Sequence, residues 1–301
     1  MNLLITGAWQ EAREHFDEIK ALGHSIVFMQ QEKDVLPCDS GWVEGTICNG
    51  LFLHHPIDAF PNLRFIQLTS AGFDRVDMDY VQSHGIEIHS ARGVYSIPMA
   101  EFALCGVLRL YKQTRFFEEN RRAHRWEKHR GLRELFGKTV VIVGCGSVGT
   151  ECAKRFSAFG CRVIGADIAP RPDEAYESML PINNLDGILP SADVLVLTVP
   201  LTRETERLID RRRLSLLPET AIIVNISRGK VLDESALIEQ LAAGRLSGAV
   251  LDVFETEPLE EDSPLWSMDN VIITPHNSFV GEGNGERMQG IILNSIRRKA
   301  L

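Results

Sequence analysis

"KTVVIVGCGSVGTECAKRFSAFGCRVIGAD", residues 138–167, decides the fold. Its opening run is apolar throughout and ends at Gly144. An uninterrupted apolar run is the mark of a strand buried on both faces, as in a parallel sheet covered by helices. Gly144, Gly146 and Gly149 then follow in the spacing G-x-G-x-x-G. The first glycine permits a tight turn, the second lets the backbone approach a pyrophosphate, and the third lets helix and strand pack closely. Ser147 and Val148 complete a helix N-terminus whose free N–H groups suit phosphates. The helical spacing of residues 148–160 stops at Gly160, and a second strand, 162–167, ends in Asp167, 18 residues after Gly149. The glycines alone are a weak signal; strand, loop, helix and a carboxylate closing the next strand form the context that a dinucleotide site requires. Asp167 favours NAD, because its carboxylate accepts from ribose hydroxyls and repels a 2′-phosphate. Arg171 could attract that phosphate, so NADP is disfavoured rather than excluded.

The alternation continues beyond Asp167. Strands are expected at "ADVLVLTVP" (192–200), "TAIIVNIS" (220–227), "SGAVLDV" (247–253) and "NVIITP" (270–275), with a helix at 234–244 between Asp233 as N-cap and Gly244 as stop. This is a doubly wound α/β domain. The first 97 residues alternate less regularly, with strands at 2–6, 25–29, 64–69 and 86–90, and read as a smaller α/β domain. Residues 98–114 read as one long helix joining the two, with Pro98 in its first turn, and 285–301 as an amphipathic helix that could cross back.

Bulk properties agree. At 301 residues two domains are expected, and 44% hydrophobic with 24% charged residues is ordinary for a globular chain. A net charge of −9 weighs against a nucleic-acid partner. No apolar run is long enough for a membrane span, and the N-terminus lacks a signal peptide's basic region. The six cysteines show no C-x-x-C spacing, so free thiols in a reducing cytoplasm are expected, and no metal site. The arginine-rich "RFFEENRRAHRWEKHR" (115–130) reads as a solvated or subunit-facing segment.

Ligands of such sheets bind beyond the carboxyl ends of the strands. There the chain places Arg228 after 220–227, Asp252, Glu255 and Glu257 around "FETEPL", and His276 after "NVIITP". Each has a plainer reading: a surface arginine, a turn carboxylate, a loop histidine. Together, beside a nicotinamide, they form an acid–base set. Arg228 can hold two oxygens of a 2-oxo acid, His276 can give the developing alkoxide its proton, and Glu257 can fix the histidine's tautomer.

"VGCGSVG" with Asp167, "NISRGKVLDESALIEQL", "GAVLDVFETEPL" and "PLWSMDNVIITPH" resemble the D-isomer-specific 2-hydroxyacid dehydrogenases. The resemblance implies a Rossmann cofactor domain, 98–279, inserted into a flavodoxin-like substrate domain, 1–97 with 280–301 returning to it, and an active site in the cleft. It implies catalytic roles for Arg228, Glu257 and His276. Asp252 falls on the aspartate that accepts from the nicotinamide carboxamide. Val199, Pro200, Thr205 and Ser227 fall on cofactor-lining positions. "TSAGFDRVD" resembles the loop whose amides receive the substrate carboxylate, making Ala71 and Gly72 candidates, with Tyr95 in the next substrate loop. The implied activity is NAD-dependent hydride transfer to C2 of a small 2-oxo acid, by a homodimer. The regulatory domain of the longer phosphoglycerate dehydrogenases is not expected. "NSFVGEGN" (277–284) departs from the small-residue loop usual after the histidine. A reading from another class is an NAD(H)-sensing binding protein on the same fold, like the corepressors built on it.

Overall fold

The computed structural model describes residues 1–299. Twelve strands among these residues form two all-parallel sheets. In the first, β1 (Asn2–Thr6), β2 (Ser25–Met29), β3 (Gly45–Cys48), β4 (Phe65–Leu68) and β5 (Glu87–His89) lie in the order β2-β1-β3-β4-β5. That is the flavodoxin-like doubly wound order. In the second, β6 (Thr139–Val143), β7 (Arg162–Asp167), β8 (Ser178–Pro181), β9 (Val194–Leu197), β10 (Ile222–Asn225), β11 (Gly248–Leu251) and β12 (Val271–Ile273) lie in the order β12-β11-β10-β9-β6-β7-β8. The direction of winding reverses between β6 and β9, which is the Rossmann arrangement with one added strand.

Two compact units result: Met1–Tyr95 with the described residues from Gly281 onward, and Ser96–Val280. In the second unit, successive residues of each strand enter opposite layers, as the two-residue strand period requires. Val140 and Ile142 of β6 pack with Val194, Val196 and Val250 against Ala100, Ala103 and Val107 of the helix Ser96–Tyr111. Val141 and Val143 pack on the other face with Leu195, Ile223, Leu237 and Leu241. Both layers are closed to solvent, so β6, β9, β10 and β11 are buried along their whole length. In the first unit, Leu3 and Ile5 share a layer with Ile292 and Ile296 of the helix Asn284–Arg297. Leu4, Ile66 and Leu68 face the other side.

Several elements differ from the sequence reading, among them β3, a wholly buried strand at Gly45–Cys48 that was not expected. The helix expected at 98–114 starts at Ser96 and ends at Tyr111, and a second helix, Thr114–Arg122, begins after Gln113, whose φ of +50° cannot continue an α-helix. The edge strand β8 carried no sequence signal, being four residues of which none is fully buried, and ending in a proline. Among the described residues, no helix is long and apolar enough to cross a membrane.

Candidate active site

Because the second sheet is wholly parallel, all its strands deliver their carboxyl ends to one edge. At the switch between β6 and β9, Gly144 turns the chain with φ of +94° and its N–H donates to Ala166 O at 2.8 Å. Thr198 closes this turn from β9, its hydroxyl donating to Gly144 O at 2.6 Å. Gly146, extended at φ −74° and ψ −160°, caps the helix Ser147–Ala158. A Cβ on Gly149 would lie 2.1 Å from Gly144 O, so only glycine lets the helix start against the turn. That helix has no acidic residue in its first turn, leaving its free N–H groups and positive dipole end for an anion. Asp167 sits beside the loop: Oδ2 accepts from Cys145 N at 2.7 Å and Oδ1 from Ala169 N at 2.9 Å. Burial pushes the Cys145 thiol up to about 12, so it stays protonated within the loop. Turn, helix terminus and half-buried carboxylate fit the pyrophosphate and ribose of a dinucleotide.

The acid–base residues come from the next three strands. β10, β11 and β12 are neighbours, with Asn225 opposite Leu251 and Leu251 opposite Ile273. The residues that follow these ends therefore emerge side by side. After β10, Asn225 braces the turn. Its Oδ1 accepts from Ser227 N at 3.1 Å and Ser227 Oγ at 2.8 Å, and its Nδ2 donates to Arg228 O at 3.1 Å. Arg228 is half-buried, and its Nη1 donates to Ser227 O at 2.8 Å. The main chain of Phe254 and Glu255 passes so close to Gly229 that a Cβ there would lie 1.9 Å from Phe254 C. This contact ties the Arg228 turn to the segment carrying Glu257.

Glu257 is held at both oxygens. Oε1 accepts from Phe254 N at 3.1 Å, and Oε2 lies 2.8 Å from His276 Nδ1. His276 is exposed and its backbone takes φ of +50°. That conformation costs a non-glycine residue about 1–3 kcal/mol and gathers at functional sites. Beneath it lies Asp252, 1% exposed, its carboxylate accepting three hydrogen bonds from Thr274, Asn277 and Ser278. Phe279, from the departing loop, sets its ring edge-on to His276 at 6.2 Å.

The remaining predicted positions are more varied. Val199 is buried and Pro200 exposed after β9. Thr205 is committed to its own loop: its hydroxyl donates to Pro200 O at 2.6 Å and accepts from Thr202 N at 2.7 Å. Ser227 is likewise spent on Asn225. In the first unit, Ala71 and Gly72 lie on the loop after β4, where Ser70 Oγ donates to Gly72 O at 2.9 Å. The Tyr95 hydroxyl donates to Thr69 O at 2.5 Å, at the start of the same loop. Three residues went unread in the sequence: Thr198, Asn225 and Thr274. Asn225 had a signal, being a polar residue that closes an otherwise apolar buried strand.

The family model for the NAD binding domain of D-isomer specific 2-hydroxyacid dehydrogenases matches residues 104–278. The chain is similar to a glyoxylate reductase of Thermofilum pendens, 37% identical over 228 residues that span 73% of this chain and 67% of that one. Its fold is similar to a D-lactate dehydrogenase from Aquifex aeolicus, solved with NAD and lactic acid, at TM-score 0.81 and 28% identity over 98% of this chain and 94% of that one. It is also similar to a D-isomer specific 2-hydroxyacid dehydrogenase from Xanthobacter autotrophicus, solved with NADPH and MES, at TM-score 0.80 and 30% identity over 99% and 94% of the two chains.

Proposed function

The chain belongs to the D-isomer-specific 2-hydroxyacid dehydrogenases, oxidoreductases that act on the CH–OH group of 2-hydroxy acids, and on that premise we propose that it reduces a small 2-oxo acid with NADH. The observation that carries this reading is the His276–Glu257 pair, 2.8 Å apart, on the sheet edge that also bears Arg228 and the glycine loop. Nicotinamide, when bound, supplies the hydride for C2 of the oxo acid. Gly144, Gly146, Ser147, Val148 and Gly149 would hold its pyrophosphate, Asp167 its ribose, and Val199 with Pro200 its adenosine half. Arg228 presents a planar fork that stays charged while pairing with two oxygens of the substrate. As the carbonyl oxygen gains negative charge, His276 Nε2 gives it a proton. Glu257 accepts from Nδ1, which fixes the ring's orientation and leaves the transferable proton on Nε2. In the reverse direction neutral His276 takes the hydroxyl proton.

For the first unit the reading gives Ala71 and Gly72 a carboxylate-binding role through their backbone amides, with Tyr95 beside them. NAD is preferred to NADP because Asp167 places negative charge at the ribose end of the glycine loop. Glyoxylate is the first candidate substrate, on the likeness to the Thermofilum enzyme. The reading extends to a homodimer. Support comes from the segment around Arg122, where Trp126 is 98% exposed beside a buried Asn120 whose amide has no hydrogen-bond partner among the described residues. All six cysteines are free thiols, in keeping with the cytoplasm.

The test is NADH and NADPH oxidation with glyoxylate, pyruvate, hydroxypyruvate and larger 2-oxo acids. Turnover with NADH on a small oxo acid is expected. Tight NADH binding with no turnover on any of them would replace the enzyme by a dinucleotide sensor.

A further inference from the structure

We propose that Thr274 and Asp252 form a buried strap that positions His276 for proton transfer, Thr274 being a positioning residue that acts through Asp252. The inference rests on the reading of His276 as proton donor. Four hydrogen bonds tie the histidine's segment to this one aspartate. His276 N donates to Asp252 O at 2.8 Å. Asp252 Oδ1 accepts from Thr274 Oγ1 at 2.6 Å and from Asn277 N at 2.7 Å, and Oδ2 accepts from Ser278 N at 3.0 Å. The bonds fall on both sides of His276, so the turn is held from before and after.

Such a hold has a physical reason. Pro275 has no N–H to continue the ladder, and His276 sits at φ of +50°, which a side chain-bearing residue keeps only when its surroundings impose it. A carboxylate that is 1% exposed is in turn unfavourable unless its lone pairs are filled. Strained turn and buried charge therefore stabilise one another. Three of about four acceptor positions on the carboxylate are taken, and the one left, on Oδ2, is still open to a cofactor amide. Thr274 contributes the one side-chain donor among the three carboxylate bonds; the other two come from the main chain. Its hydroxyl is thus the part of the strap that substitution can remove without touching His276.

The experiment compares Thr274→Val, Thr274→Ser, Asp252→Asn and His276→Ala in the full-length protein, measuring kcat, KM for the oxo acid and the Kd for NADH. Thr274→Val is expected to lower kcat ~10- to 100-fold, the cost of a misplaced reacting group, with NADH Kd unchanged. Thr274→Ser keeps the hydroxyl and restores kcat, and Asp252→Asn lowers kcat at least as far as Thr274→Val. Wild-type kcat in Thr274→Val, alongside a large loss in His276→Ala, overturns the strap. Weakened NADH binding in Asp252→Asn with kcat intact also overturns it and returns Asp252 to the carboxamide. Full turnover in His276→Ala overturns the underlying reading instead, so the two failures are distinct. Should Thr274→Val fold poorly, Thr274→Ala gives the same comparison.

Discussion

Glu257 Oε2 lies 2.8 Å from His276 Nδ1 while the other oxygen of the same carboxylate accepts from Phe254 N at 3.1 Å. The carboxylate is fixed by its own loop before it meets the imidazole. Replacing it with the isosteric amide keeps the shape and removes the charge that supports the imidazolium. Glu257→Gln is expected to lose ~10- to 100-fold in kcat with KM for NADH unchanged. Steady-state kinetics at saturating NADH checks this; equal kcat in variant and wild type would remove Glu257 from the proton path.

Asp167, proposed to meet the ribose, is also tied to the main chain around the glycine loop, since Cys145 N and Ala169 N both donate to it. A serine there keeps one acceptor and sheds the negative charge. Asp167→Ser should shift the NADH-to-NADPH ratio of kcat/KM towards NADPH by at least about tenfold, as expected when like-charge repulsion is relieved. The ratio measured on one oxo acid decides it, and an unchanged ratio would mean that discrimination lies elsewhere.

His24 gives the first unit a pH dependence. Burial, with the N-terminal ammonium alongside, holds its imidazole below the ordinary value. The folded chain therefore keeps His24 neutral where the unfolded chain takes a proton. Its contribution to stability is present above the unfolded value near 6.5 and is lost as pH falls through it towards the folded value. Melting temperatures between about pH 7.5 and 5.5 should fall more steeply for the wild type than for His24→Gln. Parallel slopes would contradict this.

What the sequence discloses here, and what it withholds, follows from the range of the contacts. The glycine loop, Asp167 and the apolar strands are legible because each is determined by residues next to it in the chain: a turn needs its glycine, a strand buried on both faces needs an apolar run. The strand ends are legible for the same reason, so Arg228 and His276 stand out once the parallel sheet is recognised. Thr274 is not legible, because its partner lies 22 residues away and only the pairing of β11 with β12 brings the two together. Thr205 and Ser227 show the converse. The resemblance places both at cofactor-lining positions; that their hydroxyls also bond Pro200 O and Asn225 depends on rotamers and not on spacing. The break at Gln113 escaped notice because the apolar spacing runs on across it and the left-handed residue is not a glycine.

The central claim is that His276 supplies the proton when a 2-oxo acid is reduced. The most direct measurement is the rate of NADH oxidation by His276→Ala with the preferred oxo acid, paired with NADH Kd on the same preparation. A loss of ~10²- to 10⁴-fold in kcat, with Kd as in the wild type, is the predicted result. Turnover close to that of the wild type would contradict it and take the imidazole out of the mechanism.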